Sequence, residues 1–165
     1  MDAGLRARAQ ALGRALAARG ARLATAESCT GGGIAQAVTA VAGSSAWFER
    51  GFVTYSNDAK IELLGVAAAT LAAFGAVSGE TVVEMAQGAL ARAHAEIAVA
   101  VSGIAGPDGG SADKPVGTVW LAWAMNGRAP RVRRYHFDGD RDAVRRAAVL
   151  AALDGVLALL ADADA

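Results

Sequence analysis

Apolar residues follow two rhythms along this chain, and the alternation between them outlines its elements. Leu5, Leu12 and Leu16 recur among alanine and arginine at helical spacing, which predicts a helix over residues 2–19 stopped by Gly20. The apolar run Ala21–Ala26 predicts a strand. Glu27-Ser28-Cys29-Thr30-Gly31-Gly32-Gly33 then reads as a tight turn into a helix over about Ile34–Val41, broken by Gly43-Ser44-Ser45. The β-branched and aromatic run Phe52-Val53-Thr54-Tyr55 predicts a second strand. Asn57 is a good N-cap for a short helix through Leu64, and residues 67–74 add a helical turn. Glu80–Ala95 predicts a longer helix with Val83, Met85, Ala86, Ala89 and Leu90 toward the core. Ile97–Val101 reads as a buried strand, followed by a glycine-rich loop from Ser102 to Pro115. Val116–Met125, an Asn126-Gly127 turn and Arg131–Phe137 predict a hairpin, and Asp140 caps a last helix reaching about Leu160. Helices separated by strands predict the α/β class. The expected architecture is a three-layer α/β/α sandwich around a mixed, mostly parallel sheet of about five strands, as one domain over residues 1–165.

Composition narrows the function classes. Sixteen basic residues balance sixteen acidic ones, so no global charge points to nucleic acid or to an anionic membrane. The local cluster Arg131, Arg133 and Arg134 is at most a small-anion site. One cysteine, Cys29, and two histidines, His94 and His136, supply no recognisable metal-ligand spacing, and neither a metal nor a cofactor is expected. Mean hydropathy is +0.31, which comes mostly from alanine. The longest uncharged stretch, Ser28–Phe48, is broken by Ser, Thr, Gln and a triple glycine, unlike a spanning helix. The arginine-studded N-terminus does not read as a secretory signal, so a soluble cytoplasmic protein is expected.

The chemistry lies where glycine clusters. Gly31–Gly33, Gly43, Gly103–Gly110 and Gly117 fall at strand ends or helix starts beside Ser and Thr, where open α/β sheets bind ligands. No P-loop or dinucleotide-binding glycine pattern is present. The candidate nucleophiles are Ser28, Cys29, Ser44, Ser45 and Ser102, and the turn Ser28–Gly32 is a candidate anion nest. Histidine is a poor candidate base here, because His94 and His136 read as surface residues. That leaves lysine, of which the chain has two, Lys60 and Lys114. Lys60 falls in the first turn of the predicted 57–64 helix, where the dipole and partial burial both lower an amine's pKa and allow it to act as a general base.

Taken together, these segments resemble the CinA C-terminal domain family. The stretches that carry the resemblance are Ala26–Gly32, Gly43–Asn57 with Lys60, Leu64–Val66, Gly75–Ser78, Ser102–Gly110, Lys114–Val119 and Gly139–Arg141, in family order over nearly the whole chain. Two departures are Gly79, where an acidic residue is common, and Gly33, which extends a glycine pair. The resemblance implies the stand-alone amidohydrolase form, without the additional N-terminal domain of larger members. Its reaction is hydrolysis of the carboxamide of nicotinamide mononucleotide (NMN) to nicotinic acid mononucleotide and ammonia, in pyridine-nucleotide recycling. It implies a nucleophile at Ser45, a base at Lys60 and an assisting Tyr55; backbone amides near Gly43–Ser45 are candidate oxyanion donors. Ser28, Ser102 and Arg141 are the implied site-lining positions, and Thr30, Gly31, Gly32, Gly43, Ser44 and Gly103 are further candidate substrate-binding positions. No cofactor, nucleic acid or membrane is implied, and a homodimer is expected, with Trp47, Phe48, Trp120 and Trp123 as interface candidates against a core reading. Two alternatives are a non-catalytic pyridine-nucleotide-binding regulatory domain and a Ser–Lys amidase of other specificity.

Overall fold

The computed structural model describes residues 1–164. The elements run α1 (Ala3–Arg19), β1 (Leu23–Glu27), α2 (Gly33–Thr39), a 3₁₀ turn (Ser44–Ala46), β2 (Phe48–Val53), α3 (Asn57–Leu64), α4 (Ala68–Phe74), α5 (Gly79–Arg92), β3 (Ile97–Gly103), β4 (Thr118–Met125), β5 (Arg131–His136) and α6 (Arg141–Ala163). Local chemistry sets several ends. Gly20 closes α1 in the left-handed region at φ 63°, and the Asp140 carboxylate caps α6 by accepting from the Ala143 amide at 2.9 Å. Ser56, not Asn57, caps α3: it is the last extended residue, and its Oγ accepts from the Ala59 amide at 3.0 Å.

The strands form one sheet in the order β2-β1-β3-β4-β5. β1 pairs in parallel with β2 and β3, while β3–β4 and β4–β5 are antiparallel. β2 begins at Phe48, earlier than the expected Phe52, and ends at Val53 rather than Tyr55. Pairing with β1 draws the polar Glu49-Arg50-Gly51 stretch into the ladder, so tertiary context overrides local propensity. α5 stops at Arg92, short of Ala95, because Ala93 is extended. Its buried face is Val82, Met85, Ala86 and Ala89, with Val83 and Leu90 at the margins.

Helices cover both faces of the sheet. On one, α1, α2 and α6 pack Leu12, Leu16, Ile34, Val38, Leu153 and Val156 against Val99 and Leu121. Trp47 and Trp123 are buried in this layer, the latter donating its indole N–H to the Ala152 carbonyl at 3.0 Å. Trp120 and Phe48 are half-buried. On the other face, the sheet presents Ala24, Ala26, Ala98, Ala100, Ala122 and Ala124 to Leu64, Val82 and Met85 of α3 and α5. These small residues let the helices lie close to the sheet. α3 and α5 also meet tightly: a Cβ at Gly88 would lie 1.9 Å from the Leu64 carbonyl oxygen. Among the described residues, no helix is long and apolar enough to cross a membrane.

Candidate active site

The parallel strands β2, β1 and β3 end on the same side of the molecule, and the candidate site forms there. Glu27, the last residue of β1, is fully buried. Its carboxylate accepts from the Thr30 hydroxyl at 2.5 Å and from the Ile34 and Ala35 amides at 2.8 and 3.0 Å, satisfying the start of α2 where Gly32 offers no side chain. The chain reverses through Gly31 and Gly32, at φ 59° and 97°, a conformation that favours glycine. Ser28 therefore stands at the strand's tip. Both ladders run on past it: the Ser28 amide donates to the Val101 carbonyl at 3.0 Å, and the Thr54 amide donates to the Glu27 carbonyl at 2.8 Å. Thr54 and Ser102 consequently flank Ser28 on its two neighbouring strands.

Lys60 reaches this point from α3. The residue is 1% exposed, and its Nζ lies 3.1 Å from Ser28 Oγ and 2.8 Å from the Thr54 carbonyl oxygen. Among the described residues it pairs with no carboxylate within 4.0 Å. Burial pushes its pKa below the usual lysine range, and the neighbouring Cys29 opposes this more weakly. A neutral amine has two N–H bonds and one lone pair. The Thr54 carbonyl can only accept, so it takes one N–H. The amine keeps a second N–H and the lone pair for the Ser28 hydroxyl, which can itself accept or donate. Cys29 is a buried thiol, pushed up to about 11 by desolvation, and so keeps its proton at neutral pH.

A cavity of about 300 Å³ opens over this pair. Ser28, Cys29, Tyr55, Asn57, Lys60, Ser102, Gly103, the 104–106 loop, Asp108 and Arg141 are among the residues that line it. Arg141, in the first turn of α6, donates to the Gly106 carbonyl at 2.8 Å and to the Tyr55 hydroxyl at 3.1 Å, tying two walls together. The second lysine, Lys114, donates to the Phe74 carbonyl at 2.7 Å and fixes the long loop from outside the cavity.

The structure thus brings together Ser28, Tyr55, Lys60, Ser102, Gly103 and Arg141 of the expected positions. Thr30, Gly31 and Gly32 belong to the same turn but do not line the cavity, and the Thr30 hydroxyl is engaged by Glu27. Gly43, Ser44 and Ser45 are not brought to it. They lie in and before the 3₁₀ turn ahead of β2, whereas Lys60 follows the strand's other end. Six strand residues separate those ends by about 20 Å. The expected Ser45–Lys60 contact is therefore not formed within the chain, and Lys60 meets Ser28 in its place. The Gly43–Ser45 amides sit at that same distant end. Tyr55 is 62% exposed and bonded to Arg141, at the edge of the cavity rather than between a serine and the lysine.

Sequence reasoning gave no site role to Asn57, Asp108 or the Thr54 carbonyl. A signal for Ser28 was present, since Ser28 and Ser102 both follow predicted strands whereas Ser45 precedes one. Arg131 pairs with Asp162, Arg134 donates to the Asp113 carbonyl and Arg133 stacks on Tyr135, so that cluster is engaged locally, away from the cavity. His94 and His136 are exposed. Among the described residues, no group of three His, Cys, Asp or Glu side chains is arranged to hold a metal.

Known proteins bear on this arrangement. The nicotinamide-nucleotide amidohydrolase PncC of Escherichia coli strain K12 is 60% identical over 152 residues, covering 92% of this chain and 92% of its own. The protein of the same name from Pseudomonas putida is 60% identical over 148 residues, covering 90% and 92%. The competence/damage inducible protein CihA of Agrobacterium tumefaciens superposes with a TM-score of 0.94 at 48% identity, over 96% of this chain and 97% of that one. The family model described as the CinA C-terminal domain matches residues 5–160. The chain belongs to the CinA C-terminal domain family.

Proposed function

We propose that the chain is a nicotinamide-nucleotide amidohydrolase that converts NMN and water to nicotinic acid mononucleotide and ammonia, with Ser28 as nucleophile and Lys60 as its base. The observation that carries this reading is the buried, carboxylate-free Lys60 amine at 3.1 Å from Ser28 Oγ. The reaction itself comes from the relatives' names, at 60% identity over nearly the whole chain.

In the first half-reaction, neutral Lys60 takes the Ser28 proton and Oγ bonds to the carboxamide carbon. The oxygen of that carbonyl becomes an oxyanion. The Ala105 and Gly106 amides suit it: both residues line the cavity, and neither amide donates to a protein acceptor among the described residues. Such a donor contributes about 3–4 kcal/mol to the transition state. Protonated Lys60 then gives its proton to the departing nitrogen. The C–N bond breaks, ammonia leaves and an ester to Ser28 remains. In the second half-reaction Lys60 takes a proton from water, the hydroxide attacks the ester, and the proton returns to Ser28 Oγ as the carboxylic acid product forms. Arg141 at the cavity edge suits the 5′-phosphate, and the Tyr55 ring beside it suits the pyridinium face. The expected homodimer remains part of the proposal. It is supported by β2 being an edge strand with Val53 exposed at its end and Tyr55 exposed just beyond it, and sedimentation velocity tests it.

The deciding experiment is ammonia release from NMN by Ser28→Ala, Lys60→Arg and Ser45→Ala. The first two should each lose at least about 100-fold in kcat, because a hydroxyl and a deprotonatable amine are both required. Ser45→Ala should remain within a few-fold of the parent. Full activity in Ser28→Ala with loss in Ser45→Ala would overturn the assignment. NMN binding without turnover by the unaltered protein would favour the regulatory-domain reading. Turnover of another amide with none of NMN would favour an amidase of different specificity.

A further inference from the structure

Arg145 stands one turn beyond Arg141 on α6, and nothing in the mechanism above uses it. The residue is half-buried, and among the described residues it makes no ion pair within 4.0 Å. Its neighbour Arg146, by contrast, pairs with Asp2 at 2.6 Å. A partly buried arginine without a carboxylate pays a desolvation cost that only good hydrogen bonds offset.

Arg145 makes two such bonds. Nε donates to the Cys29 carbonyl and a terminal nitrogen donates to the Thr30 carbonyl, each at 3.2 Å. These are the carbonyls of the two residues that follow Ser28, reached across 116 and 115 positions of chain. The turn is thus gripped from two sides. Glu27 holds the Thr30 hydroxyl and the start of α2 from within, and Arg145 holds the main chain from α6. Two glycines in the left-handed region follow immediately, so the segment has little stiffness of its own.

We propose that Arg145 is a positioning residue for the nucleophile, holding the Cys29 and Thr30 carbonyls so that the Ser28 hydroxyl stays within reach of the Lys60 amine. The inference rests on the Ser28–Lys60 reading. Arg141 and Arg145, at i and i+4 on one helix face, divide the work. Arg141 ties the 104–106 loop to Tyr55, and Arg145 seats the turn that carries Ser28. Substrate contacts are left unchanged by this arrangement, because Arg145 does not line the cavity. Its loss should therefore act on the chemical step and spare binding.

The test is steady-state deamidation of NMN by Arg145→Ala and Arg145→Lys, with and without added guanidinium at about 10–50 mM, far below the molar range that unfolds proteins. Arg145→Ala should lose about 10- to 100-fold in kcat with KM changed less than about threefold, the pattern of a misplaced reacting group. Guanidinium should restore part of that loss in Arg145→Ala and leave the parent unchanged. Arg145→Lys should recover less than half of the kcat, since one ammonium cannot span two carbonyls. Unchanged kcat in both variants overturns the proposal. So does a loss that tracks the folded fraction by circular dichroism and is not rescued by guanidinium. Should Ser28→Ala remain active while Arg145→Ala is impaired, the Ser28–Lys60 reading is the part that fails.

Discussion

At the scale of single residues, the proposed mechanism depends on keeping one amine uncharged. Burial disfavours the ammonium form of Lys60, so its pKa lies below the usual lysine value of about 10.4. Two consequences follow with definite sign. Because the proposed base acts in its neutral form, kcat/KM for NMN should rise with pH through an ionisation below the ordinary lysine range and then level off; a fall with rising pH over that range would contradict the role. Stability is linked to the same proton. Between the lowered native pKa and about 10.4, the unfolded chain binds a proton that the native chain does not, so this group's contribution to stability grows as pH rises. Lys60→Met removes the titrating group. Urea unfolding at pH 7 and pH 10 should show the parent gaining stability relative to Lys60→Met at the higher pH. A constant difference would mean that the amine is not desolvated.

At the scale of elements, the position of Lys60 is set by how α3 packs on α5. A methyl group at Gly88 would sit 1.9 Å from the Leu64 carbonyl oxygen, a main-chain atom that can yield only if the whole helix moves. Gly88→Ala should therefore destabilise the protein by about 2–3 kcal/mol and lower kcat, because α3 carries Lys60, the proposed base. Gly13→Ala is the control. Its methyl would meet the Trp47 ring at 2.7 Å on the other face of the sheet, so it should lower the melting temperature and leave kcat of the folded protein intact. Elements were also where the sequence was most and least informative. Gly20 and Asp140 marked helix ends by chemistry that needs no partner, and both act as read. Lys60 stood out because the chain has so few lysines. The extent of β2 was not legible, since Glu49-Arg50-Gly51 becomes strand only by pairing with β1. The order of serine and strand does not depend on that boundary: whether β2 starts at Phe48 or at Phe52, Ser45 precedes it, while Ser28 follows the adjacent parallel strand. Motif order along the chain carries no record of which strand end faces the ligand.

At the scale of the molecule, the site has no private foundation. Ser28 comes from the β1–α2 turn, Lys60 from α3, the 104–106 loop from the β3–β4 connection, and Arg141 from α6. α6 packs on α1, α2, β3 and β4 in one hydrophobic layer, while α3 belongs to the layer on the opposite face. Neither layer can melt while the other preserves the cavity, because the sheet between them is shared and its strand tips form the site. Unfolding should accordingly be a single cooperative transition in which activity disappears with structure. The tryptophans report on both sides: Trp47 and Trp123 are buried in the α1–α2–α6 layer, and Trp120 packs against the other. Urea titrations followed by NMN turnover, by tryptophan fluorescence and by helical circular dichroism should give coincident midpoints. Earlier loss of activity would mean that the strand tips loosen on their own, as in proteins whose binding loops open below the global transition. Given the Glu27 and Arg145 bonds that hold the Ser28 turn from both sides, coincidence is the expected outcome.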